Sequence, residues 1–409
     1  MASTYAIKEI RIKEFKSIAD ITLDLGKVNV LIGENGAGKS NILEAIGVIS
    51  AAIAGNTNYS SLKERGVRLS APEVFKMALC GRKRKPLFTL ETLFTSGLRY
   101  HLTLSPARND TGDKLRYWTE VLSNTENKIV SRGVRGKRGT IVGKESFIAN
   151  ENTSVVLAAE SLNVISEDYK KEIDILRNYA IYAPSTPILR NISPDESAKS
   201  PLGLYGGGLA NSLPAMFRIK KFVQLYRNIV KLFPWIDDFG RVFPAENLIS
   251  HHVHPDDRVI AFRDRRMSDN FNKLLAYDIS EGVLYVLFLF TLILHTGAPN
   301  FFAIDNIDSA LNPGLSTKVL DMCIDMIKKS SSKQIILTTH NPSMINGLDL
   351  FDDEQRLFVV ERNKDDGSTI VRRINPAAHI SREKWNAMVH GQSLSHLWTS
   401  GALGGIPTI

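Results

Sequence analysis

The sequence predicts an α/β fold, and three observations carry that prediction. A glycine-rich octet, Gly33-Glu34-Asn35-Gly36-Ala37-Gly38-Lys39-Ser40, lies between the apolar run 28–32 and a helix-like segment, 41–53. Two further short apolar runs, 301–304 and 334–337, read as buried strands. Segments 87–94, 99–104, 114–122 and 128–131 alternate apolar and polar residues, the pattern of antiparallel strands.

The octet has the strand, glycine loop and helix context that a phosphate-binding P-loop requires. Gly33, Gly36 and Gly38 let the backbone turn its N–H groups inward, and the following helix N-terminus favours an anion. Lys39 reaches terminal phosphates, and the Ser40 hydroxyl is placed to ligate magnesium. The candidate nucleotide contacts are therefore Asn35, Gly36, Ala37, Gly38, Lys39, Ser40 and Asn41. A plain glycine-rich turn is the alternative, and the complete, correctly flanked pattern argues against it.

Composition bounds the rest. With 409 residues, one elaborated domain or two are both open. Hydrophobic content of 43% and charged content of 23% are ordinary for a globular chain. An excess of 51 Lys+Arg over 43 Asp+Glu permits contact with a polyanion and equally describes a solvated surface. Cys80 and Cys323 lack CxxC spacing, so neither a disulfide framework nor a zinc site is expected, and a reducing cytoplasm is. Residues 1–13 lack a signal-peptide profile, and the most apolar run, 283–294, stops at His295, too short to span a bilayer. A cytoplasmic chain without membrane contact is expected.

In chain order, 6–12 and 18–25 read as two strands broken at Phe15-Lys16-Ser17-Ile18. A basic cluster, Arg82-Lys83-Arg84-Lys85, precedes the alternating segments. The stretch 132–139 is basic and glycine-rich without aromatics, which suits either phosphate-backbone contact or a charged hairpin tip. Residues 179–182 read as a short strand. From 209 to 233, apolar positions recur at helical spacing with Arg218, Lys220, Lys221 and Arg227 between them. Prolines at 184, 187, 194, 201, 214 and 234 and the lack of sustained heptads exclude a long coiled coil.

In the second half, Asp278-Ile279-Ser280-Glu281-Gly282 precedes the apolar helix 283–294; alone it is an ordinary N-cap with an acidic first turn. The buried strand 301–304 leads to Asp305-Asn306-Ile307-Asp308, followed by Ser309-Ala310-Leu311-Asn312-Pro313. The strand 334–337 leads to Thr338-Thr339-His340-Asn341-Pro342. Segments 356–362 and 368–374 flank Asp365-Asp366-Gly367 as a closing hairpin. The tail 398–407 is too glycine-rich for a helix; it docks on this subunit or a partner, or frays.

The order P-loop, Ser-Glu-Gly, strand-Asp and strand-His resembles the ABC-type ATPases, and the Phe-Lys-Ser opening resembles their RecF/SMC branch. That resemblance implies a P-loop NTPase fold of ABC-ATPase type: a mixed central sheet, an antiparallel β subdomain and an inserted helical lobe, without a long coiled coil. It divides the chain into a head half with the P-loop (1–183), the lobe (184–270), a second head half (271–380) and a docking tail (381–409).

It also implies roles. ATP and Mg2+ are held by the P-loop, Ser40 and Asp305. Lys16 approaches the nucleotide, although alone it is equally a solvated turn residue. Ser280 and Gly282 bind the terminal phosphate of ATP held by a second copy. His340 senses the γ-phosphate. Where most relatives carry a glutamate that positions or deprotonates water, this chain has Asn306. An amide orients water and takes no proton, so Asp308 becomes the substitute base. Asn312 stands where a histidine is frequent.

Thr338-Thr339-His340-Asn341-Pro342 and the compact insert look most like the stand-alone ATPases that accompany bacterial anti-phage effectors, similar to the ATPase half of overcoming-lysogenization-defect nucleases. Acidic residues beyond His340 do not form the Glu plus Asp-x-Asp pattern of a Toprim nuclease. The implied protein is a homodimeric regulatory ATPase whose effector is a separate chain. A RecF-like DNA-repair ATPase that binds nucleic acid, and a transporter-type ATPase completed by a partner, are the alternatives.

Overall fold

β3 (Val28–Ile32) is buried along its whole length. A strand with two covered faces needs this mainly apolar run, unlike the alternating run of a half-exposed one, and its one polar residue, Asn29, is satisfied by donating to the Gly26 (2.9 Å) and Ile335 (3.0 Å) carbonyls. In the computed structural model, which describes residues 6–106, 114–133, 139–197, 199–218, 221–243, 258–330 and 332–405, the chain forms two units: residues 1–181, 300–306 and 331–409, and residues 182–299 and 307–330. Residues 134–138 of the basic stretch, 219–220 of the helical stretch and 406–407 of the tail lie outside the described residues.

In the first unit β3 sits inside a six-stranded sheet with β10 (Ile181–Tyr182), β14 (Phe301–Ile304), β15 (Gln334–Thr338), β16 (Gln355–Arg362) and β17 (Thr369–Ile374), in the order β10-β14-β15-β3-β16-β17. The pairs β14·β15, β15·β3 and β3·β16 are parallel and β16·β17 is antiparallel, so the sheet is mixed, as the resemblance implies. Register sets Ile304 beside Leu337 and Thr338 beside Leu31. The carboxyl ends of β14, β15 and β3 therefore share one edge, where α/β sheets place ligands.

The expected antiparallel subdomain is an eight-stranded sheet, β2-β1-β4-β5-β6-β7-β8-β9. Its strands are β1 (Ile7–Phe15), β2 (Ile18–Asp24), β4 (Phe88–Phe94), β5 (Arg99–Pro106), β6 (Leu115–Ser123), β7 (Lys128–Arg132), β8 (Thr140–Val142) and β9 (Glu145–Phe147). The helix Lys39–Ile53 is buried almost all round. Its Ile42, Leu43, Ile46, Ile49 and Ile53 share one core with Ile10, Ile12 and Leu90 of this sheet and Leu31, Ile336 and Phe358 of the other. Such a helix is stable only between two apolar surfaces, each buried Ile or Leu contributing about 1.5–3 kcal/mol. A buried carboxylate, Glu120, is satisfied by Tyr100 Oη (2.9 Å), Ser154 and the Val155 N–H (2.9 Å); burial raises its pKa.

The tail docks on its own unit as far as residue 405. Helices Arg382–Met388 and Leu394–Thr399 precede the glycines, Trp398 and Leu403 are buried, and Arg372 donates to the Leu403 carbonyl.

In the second unit the helical stretch 209–233 is two helices, Leu209–Arg218 and Phe222–Leu232. An unexpected antiparallel sheet follows: β11 (Ile236–Val242), β12 (Val259–Asp264) and β13 (Lys273–Leu275). β12 is an apolar run without alternation, which periodicity does not separate from a short helix. Phe239 joins the two parts, its ring 5.3 Å from Phe222 and 5.9 Å from Phe262. Helices Glu281–Leu294 and Pro313–Lys329 complete this unit, so the helix expected in the second head half packs with the lobe. Among the described residues, no helix is long and apolar enough to cross a membrane.

Candidate nucleotide site

The loop after β3 is fixed by close approaches that only glycine permits. A Cβ on Gly33 (φ +147°) would lie 2.0 Å from the Val360 carbonyl oxygen, and one on Gly38 (φ +113°) 2.2 Å from Thr369 Oγ1. Lys39 Nζ, in a residue only 5% exposed, donates to the carbonyls of Gly33 (2.8 Å) and Glu34 (2.9 Å) and so folds the loop over its own base. Gly38 is the N-cap and no side chain caps the helix, which leaves its first N–H groups facing the loop as an anion site.

Beside the loop, Ser40 Oγ donates to Asp305 Oδ2 at 2.9 Å. Thr338 Oγ1 donates to Asp305 Oδ1 at 2.5 Å and accepts from the Asn306 N–H at 2.8 Å. One carboxylate is thus held between the P-loop hydroxyl and the end of β15. A hydroxyl plus one carboxylate beside a phosphate site is the donor set that suits Mg2+, which keeps several waters and takes its other oxygens from phosphate. Among the described residues no group of three His, Cys, Asp or Glu could form an all-protein metal cage.

Asn306 is exposed and has φ +54°. Asn is enriched in this left-handed region and most other side chains avoid it, so the backbone here favours the residue found over a glutamate. His340 lies exposed two residues past β15, at the edge where the Thr339 N–H donates to the Leu31 carbonyl (3.2 Å). The structure therefore gathers the P-loop, Ser40, Asp305, Asn306 and His340 at one sheet edge.

Ser280, Gly282 and Asp308 belong to the second unit. Ser280 is the N-cap of Glu281–Leu294, yet its hydroxyl makes no capping bond. Asn312 caps Pro313–Lys329, its Oδ1 accepting from the Leu315 N–H at 2.9 Å.

Lys16 (φ +48°) does not point into solvent: its ammonium pairs with buried Glu44, whose other oxygen pairs with Arg68. Burial lowers the Lys16 pKa, and Glu44 opposes that shift. Arg68 donates to Asn41 Oδ1 (3.0 Å) and Asn41 Nδ2 to Ser17 Oγ (2.8 Å); Ser17 meets Thr369 Oγ1 at 2.7 Å, and Thr369 reaches the Ala37 carbonyl at 2.9 Å. Arg362 Nε donates to the Gly36 carbonyl at 2.9 Å. A cavity of about 550 Å³ opens among Lys16, Asn41, Arg68, Lys76, Arg84 and Arg362, with Val74 and Leu79 as an apolar wall. Its size and cation-rich rim suit a nucleotide. Sequence reading named Thr338 within its motif without giving it a role, and missed Glu44, Arg68, Arg362 and Thr369. Of the missed residues only Glu44 carried a local signal, as the one carboxylate in an apolar helix.

The family described as "AAA domain, putative AbiEii toxin, Type IV TA system" matches residues 28–346, a span from β3 to just beyond His340. The chain belongs to that family. Over 53 residues, 13% of this chain and 14% of the relative, it is 43% identical to the DNA replication and repair protein RecF of Bacillus cytotoxicus. The match thus spans about a seventh of that relative's length. An Smc head solved with the C-winged-helix domain of ScpA superposes with TM-score 0.53 at 16% identity, covering 91% of this chain and 99% of that one. A second Smc head, bound to the C-terminal domain of ScpA derived from Pyrococcus furiosus, gives 0.50 at 14% identity, covering 94% and 98%. The structural likenesses establish the fold, that of an Smc head. The family match spans the Lys39 loop and the Ser40–Asp305 pair.

Proposed function

We propose that the chain binds ATP with Mg2+ at Lys39, Ser40 and Asp305, pairs with a second copy whose Ser280 and Gly282 close over the γ-phosphate, and hydrolyses the nucleotide slowly. The observation that carries this reading is the 2.9 Å contact between Ser40 and Asp305 beside the Lys39 loop. Asn306 orients water without accepting its proton, Asp308 acts as the base, and His340 reports the γ-phosphate. Pairing and ATP binding are then linked equilibria. The head halves 1–183 and 271–380, the lobe 184–270 and the tail 381–409 act as the functional segments, and the pair regulates a separate effector in anti-phage defence. The resemblance of Thr338-Thr339-His340-Asn341-Pro342 and of the compact insert to stand-alone ATPases that accompany such effectors supports that role.

Sedimentation velocity with and without Mg-ATP tests the pairing. Wild type should shift to a dimer and Lys39→Ala should not; a Lys39→Ala chain that still pairs on ATP sinks the composite site. Phosphate release should nearly vanish in Asp308→Ala, and unchanged turnover removes Asp308 as the base. The second reading, a RecF-like DNA-repair ATPase, is favoured by the 53-residue match. ATP-stimulated, salt-dependent duplex binding would support it.

A further inference from the structure

The second unit holds its Ser-Glu-Gly turn from behind. Arg190, at the C-cap of the short helix Thr186–Leu189, donates through one terminal nitrogen to the Ile279 carbonyl at 3.0 Å. Thr186 Oγ1 donates to Glu281 Oε2, also at 3.0 Å. These two bonds grip the residues on either side of Ser280 and leave its hydroxyl out of the cap. Gly282 is pressed onto the opposite support: a Cβ there would lie 3.0 Å from the Ala310 carbonyl oxygen.

The gripping segment is itself anchored. The N–H groups of Ala183 and Ser185 donate to the Leu204 and Tyr205 carbonyls (both 3.0 Å), and Asn191 Nδ2 donates to the Arg258 carbonyl (3.0 Å) at the start of β12. Its Leu189 and Phe288 of the helix Glu281–Leu294 both close on Gly206, where a Cβ would meet them at 2.4 and 3.5 Å. Two side-chain bonds from a pinned segment fix the direction of a turn that has no side-chain cap of its own.

We propose that Arg190, assisted by Thr186, is a positioning residue for the composite site: it sets the Ile279 carbonyl, and through it the Ser280 hydroxyl and the Gly282 N–H, toward the terminal phosphate carried by a second copy. The proposal rests on the paired-site reading above. Arg190 touches no nucleotide. Its loss should spare nucleotide binding to the P-loop and lower turnover, because the phosphate is then met by a turn of the wrong orientation.

The test uses the full chain with Mg-ATP. Arg190→Ala should bind ATP with wild-type Kd and release phosphate at least about 10-fold more slowly, and Thr186→Val should show the same split to a smaller extent. A mixture of Arg190→Ala with Lys39→Ala should exceed either variant alone, since one site of each mixed pair joins an intact P-loop to an intact turn. Wild-type turnover in Arg190→Ala overturns the proposal, as does loss of ATP binding together with an inactive mixture, which would mark a merely structural role. Ser280→Ala separates the two levels. If it abolishes turnover while Arg190→Ala turns over at the wild-type rate, only the positioning role fails. If Ser280→Ala is as active as wild type, the paired site itself fails.

Discussion

The P-loop edge of the first unit and the Ser-Glu-Gly turn of the second solve opposite problems. At the P-loop edge each functional group already has a partner: Lys39 on two carbonyls, Ser40 and Thr338 on Asp305, Lys16 and Arg68 on Glu44. At the turn, the partners hold the backbone while the Ser280 hydroxyl stays out of its own cap. On the proposed reading, the contrast separates a site that holds a ligand from an element that meets one. It predicts that the two respond differently to substitution, and changes at four positions of the first unit sharpen or break it, ordered by effect on turnover.

Asp305→Asn has the largest expected effect, a fall in phosphate release of about 100-fold or more, equal to about 2.7 kcal/mol. ATP binding in EDTA should stay at the wild-type level while Mg-ATP binding weakens; equal loss in both buffers would dissociate Asp305 from the metal. Thr338→Val removes the hydroxyl joining Asp305 to the Asn306 N–H and should cost about 10-fold, about 1.4 kcal/mol. Thr338→Ser should restore it, and a serine variant as slow as valine would show that the methyl group matters instead.

Glu44→Gln deprives Lys16 and Arg68 of a buried counter-charge. A few-fold rise in KM for ATP with little change in kcat is expected, together with a lowered melting temperature. An unchanged KM would mean that the Lys16–Glu44–Arg68 cluster is only structural. Lys333→Met is the control, because Lys333 precedes β15 at the sheet edge away from the site. Burial lowers the Lys333 pKa to about 8, below the ordinary 10.5. A depressed lysine value means the unfolded chain binds the extra proton between these limits, so stability rises with pH there. The methionine variant should therefore be more stable at pH 7 by on the order of 2 kcal/mol, with the gain shrinking towards pH 10 and turnover unaffected. A gain that persists undiminished at pH 10 refutes the burial argument.

Much of the fold was legible because its signals are local. β3, the helix Lys39–Ile53, β14, β15 and the β16–β17 hairpin appear where apolar runs and turn residues put them. β11–β13 were not legible, since a short apolar strand such as Val259–Asp264 has the same periodicity as a buried helical turn. The tail shows the limit from the other side. Its glycines pointed away from a helix, and the Leu394–Thr399 helix stops at Thr399, after which Gly405 passes so close to β16 that a Cβ would lie 2.7 Å from Val359.

By itself the sequence determined a nucleoside-triphosphate loop, the strand-end carboxylate and histidine, and the order of motifs that marks the family. Each is a contiguous pattern whose chemistry is fixed by residue type and spacing. Only the tertiary structure decided that Asp305 meets Ser40 across 265 residues of chain, that Thr369 closes on Gly38 from β17, and that Glu44 takes both Lys16 and Arg68. Those contacts depend on strand order and register, which bring together residues that carry no local signature of one another.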